Sequence, residues 1–354
     1  MINYGFKYKW ITWFREYNDH WKRKKIKFQY KKARKRSVQT LKKVDIFSIP
    51  NNLKEIRLFA IMRNESLRLP HFLAYYKQLG VDRFFFIDNN SYDNSAKIIL
   101  EQENTHLFHT SETYVNHWYW IEYLLETYGQ NHWCIVVDID ELFYYPNIDL
   151  VSVPRLIDFL EKNKFTAIRT FLLDMYSKTN IADTKYDIGN SPLDVISYFD
   201  TKYEQIYFSF PDRKQTKYFS DIIFIGGMRE RVFGKTSPPH ILSKIPLFKY
   251  ESATYLAQGM HAINGAKLAD IQGVVFHTKF LSDFIDEVKK EVIRGQHYGN
   301  AVYYKNYETQ INNNPAINFY NNASEKFKDA NQLVSLGIMQ TSEQFEQFCQ
   351  DITE

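Results

Sequence analysis

Eleven consecutive residues constrain this chain more than any other stretch: Trp133-Cys134-Ile135-Val136-Val137-Asp138-Ile139-Asp140-Glu141-Leu142-Phe143. Five uncharged residues run into three acids interrupted by one apolar residue. A short apolar run of this kind predicts a central β-strand buried on both faces. Side chains alternate along a strand, so Asp138 and Asp140 are expected on one side of its C-terminal end. In open α/β sheets ligands bind beyond the carboxyl ends of the strands. Carboxylates at i and i+2 there suit a hard divalent cation, Mn2+ or Mg2+, shared with phosphate oxygens. Taken alone, such acids are also the ordinary polar end of a strand. What else the chain brings to that edge decides between the two.

From Glu55 onward the pattern alternates strand and helix. Residues 56–62 read as a strand that leaves through Arg63-Asn64-Glu65, and 67–79 carry apolar residues at helical spacing before the stop at Gly80. A second strand over 81–87 ends in Asp88-Asn89-Asn90-Ser91-Tyr92-Asp93. A helix over 94–101, a short strand over 106–109 and an amphipathic helix over 116–128 lead into the acidic strand. This alternation predicts an α/β fold: a Rossmann-type, mostly parallel sheet flanked by helices. The polar loops 63–65, 88–93 and 138–141 are then expected to emerge together.

An Arg-Asn-Glu after the first strand, an Asp-rich loop after the second and Asp-x-Asp-Glu after an apolar strand resemble a family-2-type glycosyltransferase of the GT-A fold. Leu173-Asp174-Met175-Tyr176, Gly226-Gly227-Met228-Arg229-Glu230-Arg231-Val232-Phe233 and Phe276-His277-Thr278-Lys279-Phe280-Leu281-Ser282-Asp283-Phe284 are similar to a bacterial subgroup associated with cell-surface polysaccharides. The resemblance covers residues 55–307. It implies transfer of a sugar from a nucleotide-sugar donor, UDP-linked and metal-dependent, to a glycan or lipid-linked acceptor in lipopolysaccharide or capsule synthesis, with inversion; a retaining course, which needs no base, stays open. The Glu-Asp pair that inverting members carry about a hundred residues after Asp-x-Asp has no placed counterpart here.

Such chemistry needs positive charge aimed at the leaving diphosphate. Asp140 is the expected direct metal ligand, Asp138 touches ribose or metal, and the family's C-terminal His implies His277 as a third ligand. Asp88, with Asn90 or Asp93, matches the residues that read base or ribose. Arg63, Asn64 and Glu65 are expected to fix the loop beneath the base, with Arg63 equally able to be a plain bracing residue. Arg229, Lys244 and Lys279 are candidates for the phosphate clamp, and the Gly-Gly before Arg229 lets backbone approach a ligand. Asp174 follows an apolar strand and is the candidate base for the acceptor hydroxyl; Glu141, Asp221 and Glu230 are its alternatives. His261 is a weaker, structural or acceptor-side candidate. The aromatic, Pro-interrupted stretch 179–219 reads as a lid or specificity element.

Net charge of +4 conceals an asymmetry. Residues 1–50 hold 15 Lys or Arg against Glu16, Asp19 and Asp45, with Trp10, Trp13 and Trp21 among them. Basic residues interleaved with Trp suit an anionic membrane surface better than a plain solvated arm or nucleic acid, which would use the charges alone. The expected organisation is a basic arm over 1–50, a transferase domain over 51–310 (nucleotide-sugar half 55–150, acceptor half 151–310) and a helical tail over 311–354. Cys134 and Cys349 are the only cysteines, which argues against a disulfide framework. With no run of about 18 apolar residues and no signal-peptide core, the expected location is cytoplasmic, peripheral on the inner face of the inner membrane through residues 1–45. Two other classes stay open: a metal-dependent phosphoryl hydrolase or transferase, and a non-catalytic module binding an anionic surface.

Overall fold

The computed structural model describes residues 34–207, 222–252, 254–257 and 261–352. Most of the basic arm lies outside them, as do Phe208, Phe210, Pro211, Asp212, Arg213 and Asp221 of the expected lid and base alternatives. One nine-stranded sheet organises the rest. Its strands in chain order are β1 (Lys42–Lys43), β2 (Ile56–Met62), β3 (Arg83–Asp88), β4 (Thr105–His109), β5 (Trp133–Val136), β6 (Glu141–Tyr144), β7 (Ala167–Asp174), β8 (Ser243–Lys249) and β9 (Leu268–His277). They are arranged β1-β4-β3-β2-β5-β8-β7-β9-β6. Strands β2, β3, β4, β5, β7 and β9 share one direction, while β1, β6 and β8 run against them. The α/β, mostly parallel sheet expected from the alternation is the one observed.

Burial on both faces explains the near-continuous apolar strands. Leu58, Ala60, Met62, Phe84, Phe86 and Ile135 point into one core cluster, with helices α1 (Leu69–Gln78) and α4 (Val153–Lys162). Their neighbours Phe59, Ile61, Phe85, Ile87 and Val136 point into the other, against α3 (His117–Leu124). The period of two thus sorts one sequence into two cores. Phe59 stacks on Phe85 across β2 and β3, centroids 4.8 Å apart. Between β3 and β4 runs α2 (Ser95–Leu100). The expected helix over 116–128 is α3 flanked by a 3-10 turn (Tyr114–Asn116) and a π turn (Leu125–Gly129). Tail residues Leu333, Met339 and Phe345 join the first core cluster, Phe345 packing on Phe159 at 4.9 Å.

Sequence pattern missed β8, which separates β5 from β7. Pro246 lies within it, and proline in a central strand is tolerated only at irregularities. The ladder to β7 slips between Lys244 and Leu247, where Pro246 sits. The acidic strand also ends sooner than expected, at Val136. Asp138, Ile139 and Asp140 form a turn closed by the Glu141 N–H donating to the Asp138 carbonyl at 3.1 Å. A turn, not strand alternation, therefore aims the acids.

Register then fixes the site. Asp88 pairs with Met62 and His109, and His277 lies beside Asp174 and opposite Glu141. All of these close the carboxyl edge of the parallel strands. Gly273 permits the β9–β6 pairing, since a Cβ there would stand 2.5 Å from the Tyr144 carbonyl oxygen. Gly273→Ala is expected to destabilise the fold by about 1–3 kcal/mol, the usual cost of overpacking, read as a lower urea midpoint; an unchanged midpoint would show that β6 yields freely.

Candidate active site at the carboxyl edge of the sheet

The loops after β2 and β3 brace one another. Asn64 adopts φ of 58°, its N–H donates to Ser91 Oγ at 2.9 Å, and its Oδ1 accepts from the Tyr92 N–H at 2.9 Å. Arg63 Nη1 donates to the Asn89 carbonyl at 2.5 Å. Burial and the nearby Arg294 lower the pKa of Arg63. Asp93 accepts from the N–H groups of Ser66 (3.0 Å) and Ser95 (2.9 Å), joining both loops at the start of α2. Asp88 is buried, accepts from the Ser91 N–H at 2.9 Å and meets His109 Nδ1 at 3.1 Å. Asn90, at φ of 63°, is exposed, as is Tyr92.

The turn after β5 carries a second assembly. Asp138 donates its N–H to Glu141 Oε2 at 2.7 Å. The backbone N–H and Oγ1 of Thr278 both donate to the Asp140 carbonyl, at 2.7 and 2.9 Å. Glu141 is buried against the Lys244 ammonium, which also lies 3.5 Å from Asp138. Burial pushes the Glu141 carboxyl up. Burial would lower Lys244, but the Asp138 and Glu141 carboxylates outweigh it and keep the ammonium charged.

His277 joins two carboxylates. Its Nδ1 lies 2.7 Å from Asp174 Oδ1 and its Nε2 lies 3.4 Å from Asp140 Oδ2. Burial disfavours the imidazolium, yet the paired charges raise its pKa to about 9. Asp174 uses its other oxygen to accept from Arg229 Nε at 2.8 Å. Against the penalty of burial, Arg229 and His277 hold Asp174 below the usual carboxylate range; His277 and Lys279 do the same for Asp140. Arg229 stands on the short helix α5 (Gly227–Phe233). The close approach that Gly227 permits is to the Tyr203 ring, 2.8 Å from where its Cβ would be.

Lys279 lies 4.0 Å from Asp140 and is held by Glu287 (2.7 Å) and the Tyr304 hydroxyl (2.8 Å). Glu287 belongs to α6 (Phe284–Arg294). Sequence reading passed over Arg68, which fastens the same corner by donating to both Asp283 oxygens at 2.7 and 2.9 Å. It also lies 3.6 Å from Glu65, whose carboxyl burial pushes well up. Asp283 before α6 makes no side-chain cap, and 215 residues separate it from Arg68, so no local signal marked the pair.

Asp140 and His277 are thus brought together, with Lys279 beside them and Asp174 and Arg229 behind. Asp138, 38 % exposed, is directed to Lys244. Among the described residues, no three His, Cys, Asp or Glu side chains form a ready-made metal cluster. The expected Asp138, Asp140 and His277 set is therefore not assembled as such. The remaining pair would hold a divalent ion only as the ion displaces the Nε2 proton of the imidazolium; Asp174 fixes Nδ1 and leaves Nε2 facing Asp140. His261 bonds the Ser243 carbonyl through Nδ1 at 3.2 Å, and burial pushes its pKa down to about 4. Arg231 pairs with Asp200 and Glu230 with Lys235, both lining an open groove of about 560 Å³ beside α5.

No protein-family description matches this chain, and no curated protein does. Among solved structures, UDP-glucose pyrophosphorylase complexed with UDP-glucose is similar over 49 % of this chain and 74 % of that one, at 10 % identity and a TM-score of 0.24. UDP-glucose pyrophosphorylase from Acinetobacter baumanii covers 73 % of this chain and 99 % of its own, at 8 % identity and a TM-score of 0.26. At such scores the fold rests on the strand order itself, not on either neighbour.

Removing one member of a buried ion pair strands the other. Lys244→Met is expected to cost about 3–5 kcal/mol. Lys244→Met with Glu141→Gln should recover much of it, since the amide still accepts from the Asp138 N–H. Chemical denaturation of both variants checks this, and equal losses would show that Glu141 does not depend on Lys244.

Proposed function

We propose that the chain is a metal-dependent glycosyltransferase that uses a nucleotide-sugar, UDP-linked donor. One observation carries the reading: His277 is fixed by Asp174 through one ring nitrogen and presents the other to Asp140, at the edge where α/β sheets bind ligands. A divalent cation held there by Asp140 and His277 would neutralise charge on the donor's diphosphate. Lys279, tied to Glu287 and Tyr304 yet 4.0 Å from Asp140, adds a fixed positive charge at the same place. In transfer, the bond between the anomeric carbon and the diphosphate oxygen breaks with its electron pair going to the diphosphate. The acceptor hydroxyl oxygen forms the new bond to the anomeric carbon, and its proton passes to the departing diphosphate or to water. Asn90 and Asp138 are the exposed or half-exposed candidates for ribose and base.

This reading gives Asp174 a different role from a base. Both its oxygens are bonded, to His277 and Arg229, and it is 4 % exposed. It acts through His277 as a positioning residue. The acceptor is a glycan or lipid-linked glycan of a cell-surface polysaccharide, and the basic N-terminal arm enters by its charge, as attachment to an anionic membrane surface.

Titration calorimetry with UDP and Mn2+ tests the proposal. Binding is expected with the metal and not after chelation, and Asp140→Ala should abolish it. Metal-independent nucleotide binding, or none at all, would overturn the reading. Asp174→Asn should weaken the metal-dependent step about 10- to 100-fold, as loss of a partner behind a metal-binding His does, with the circular dichroism spectrum retained. Unchanged metal affinity would remove Asp174 from the assembly.

A further inference from the structure

The segment joining β1 to β2 presents apolar side chains where turns ordinarily carry polar ones. Ile46 is 95 % exposed, Phe47 55 %, Leu53 56 % and Val44 45 %. Single exposed apolar residues need no explanation; four within ten residues do.

Nor is this a loose loop. Asp45 is the buckle: its carboxylate accepts from the N–H groups of Leu107 (2.9 Å) and Phe47 (3.1 Å), and meets His106 Nδ1 at 3.2 Å. Lys43 Nζ donates to the Asp45 and Phe47 carbonyls at 3.0 and 2.8 Å, closing the turn from the other side. Farther on, Arg57 Nη2 donates to the Pro50 carbonyl at 2.6 Å. A turn pinned at so many points holds Ile46 outward by construction. It lies along the outer edge of the sheet, where, among the described residues, β1 pairs with β4 alone. Asp45 contacts His106 and Leu107 near the start of β4, whereas His109, at the strand's other end, pairs with Asp88 of the candidate site.

We infer that Ile46 and Phe47 form an apolar wedge that inserts into an anionic lipid surface. Charge complementarity selects this occupant. The wedge is continuous with a segment holding 15 basic residues against three acids over positions 1–50. Cationic groups draw such a segment to anionic headgroups, and apolar side chains beside them enter the acyl boundary. The wedge goes beyond the attachment by charge proposed above: charge alone is screened by salt, whereas burial of Ile46 and Phe47 is not.

Co-sedimentation of the full chain with phosphatidylcholine vesicles, with and without phosphatidylglycerol, tests it at low salt and at about 0.5 M salt, where screening lengths fall to a few Å. The parent is expected to bind the anionic vesicles and to keep a salt-resistant fraction. Ile46→Ser with Phe47→Ser should lower binding about tenfold or more, from lost apolar burial, and remove that fraction. Metal-dependent UDP binding should be unchanged, so the transferase reading stands or falls separately. A solvatochromic dye on Ile46→Cys should shift to the blue on anionic vesicles; Cys134 and Cys349 are buried and do not compete. Parent binding that vanishes entirely with salt would overturn the wedge and leave the charged arm. A double variant that binds like the parent would also overturn it. Conversion of a dimer to a monomer by the double variant would assign the surface to a second copy instead.

Discussion

A single imidazole lies between carboxylates from opposite sides of a strand end, and the carboxyl edge is arranged so that it can stay there. Asp140, His277, Asp174 and Arg229 carry two negative and two positive charges in a buried line. Each alone would pay a desolvation penalty of several kcal/mol. Together they are neutral, and each bond uses an atom no other member needs. The line requires Asp174 and His277 to be side by side on parallel strands and Asp140 to be turned back over them. Parallel pairing of β7 with β9 supplies the first condition. Bonds from Thr278 to the Asp140 carbonyl supply the second. The local backbone is therefore fixed for the sake of the charges, and the charges in turn fix the loop.

Around that line runs a second layer of ion pairs built from residues that do not face one another in sequence. Lys244 comes from β8 to satisfy Glu141, Glu287 comes from α6 to hold Lys279, and Asp283 comes from just before α6 to hold Arg68. The effect is to tie α6 to the loop after β2 and to the turn after β5. Lys279 has little freedom to swing, because an ammonium pinned by a carboxylate and a phenol within 2.8 Å keeps one position. A preset cation costs no reorganisation when negative charge develops beside it. That is the physical sense in which this edge is suited to an anionic group.

Much of the fold was legible because period-two burial writes itself locally. Phe84 through Ile87 and Ile135 through Val137 are apolar at every position because both faces are covered. Convergence of the loops after β2, β3 and β5 followed from strand direction alone. Three things were not legible. Pro246 broke the signature of β8, so a central strand passed unseen. The acids of the turn were read as strand residues because nothing local distinguishes a strand that ends at Val136 from one that ends two residues later. The partners of Asp174, Glu141 and Arg68 lie 55 to 215 residues away. No periodicity encodes such a pairing; only the assembled sheet does.

Subtraction then says which groups are left to meet a ligand. Asp88 and Asp93 spend both carboxylate oxygens on the loops or on His109, while Arg63 through Nη1 and Asn64 through its N–H and Oδ1 brace the same loops. Glu141 and Lys244 are buried against one another, and Asp174 has no oxygen to spare. What remains near the surface is Asn90, the half-exposed Asp138 and the less exposed Asp140, while the Arg229 Nη2 is buried with no hydrogen bond of its own. A ligand approaching this edge must therefore meet the turn after β5 first, with the loop after β3 beside it. The residues singled out in the sequence divide accordingly: those in the turn are open to a ligand, and most of the others hold the turn in place. Mutational loss at Arg63 or Asp93 would thus report on loop order, whereas loss at Asp138 or Asp140 would report on contact.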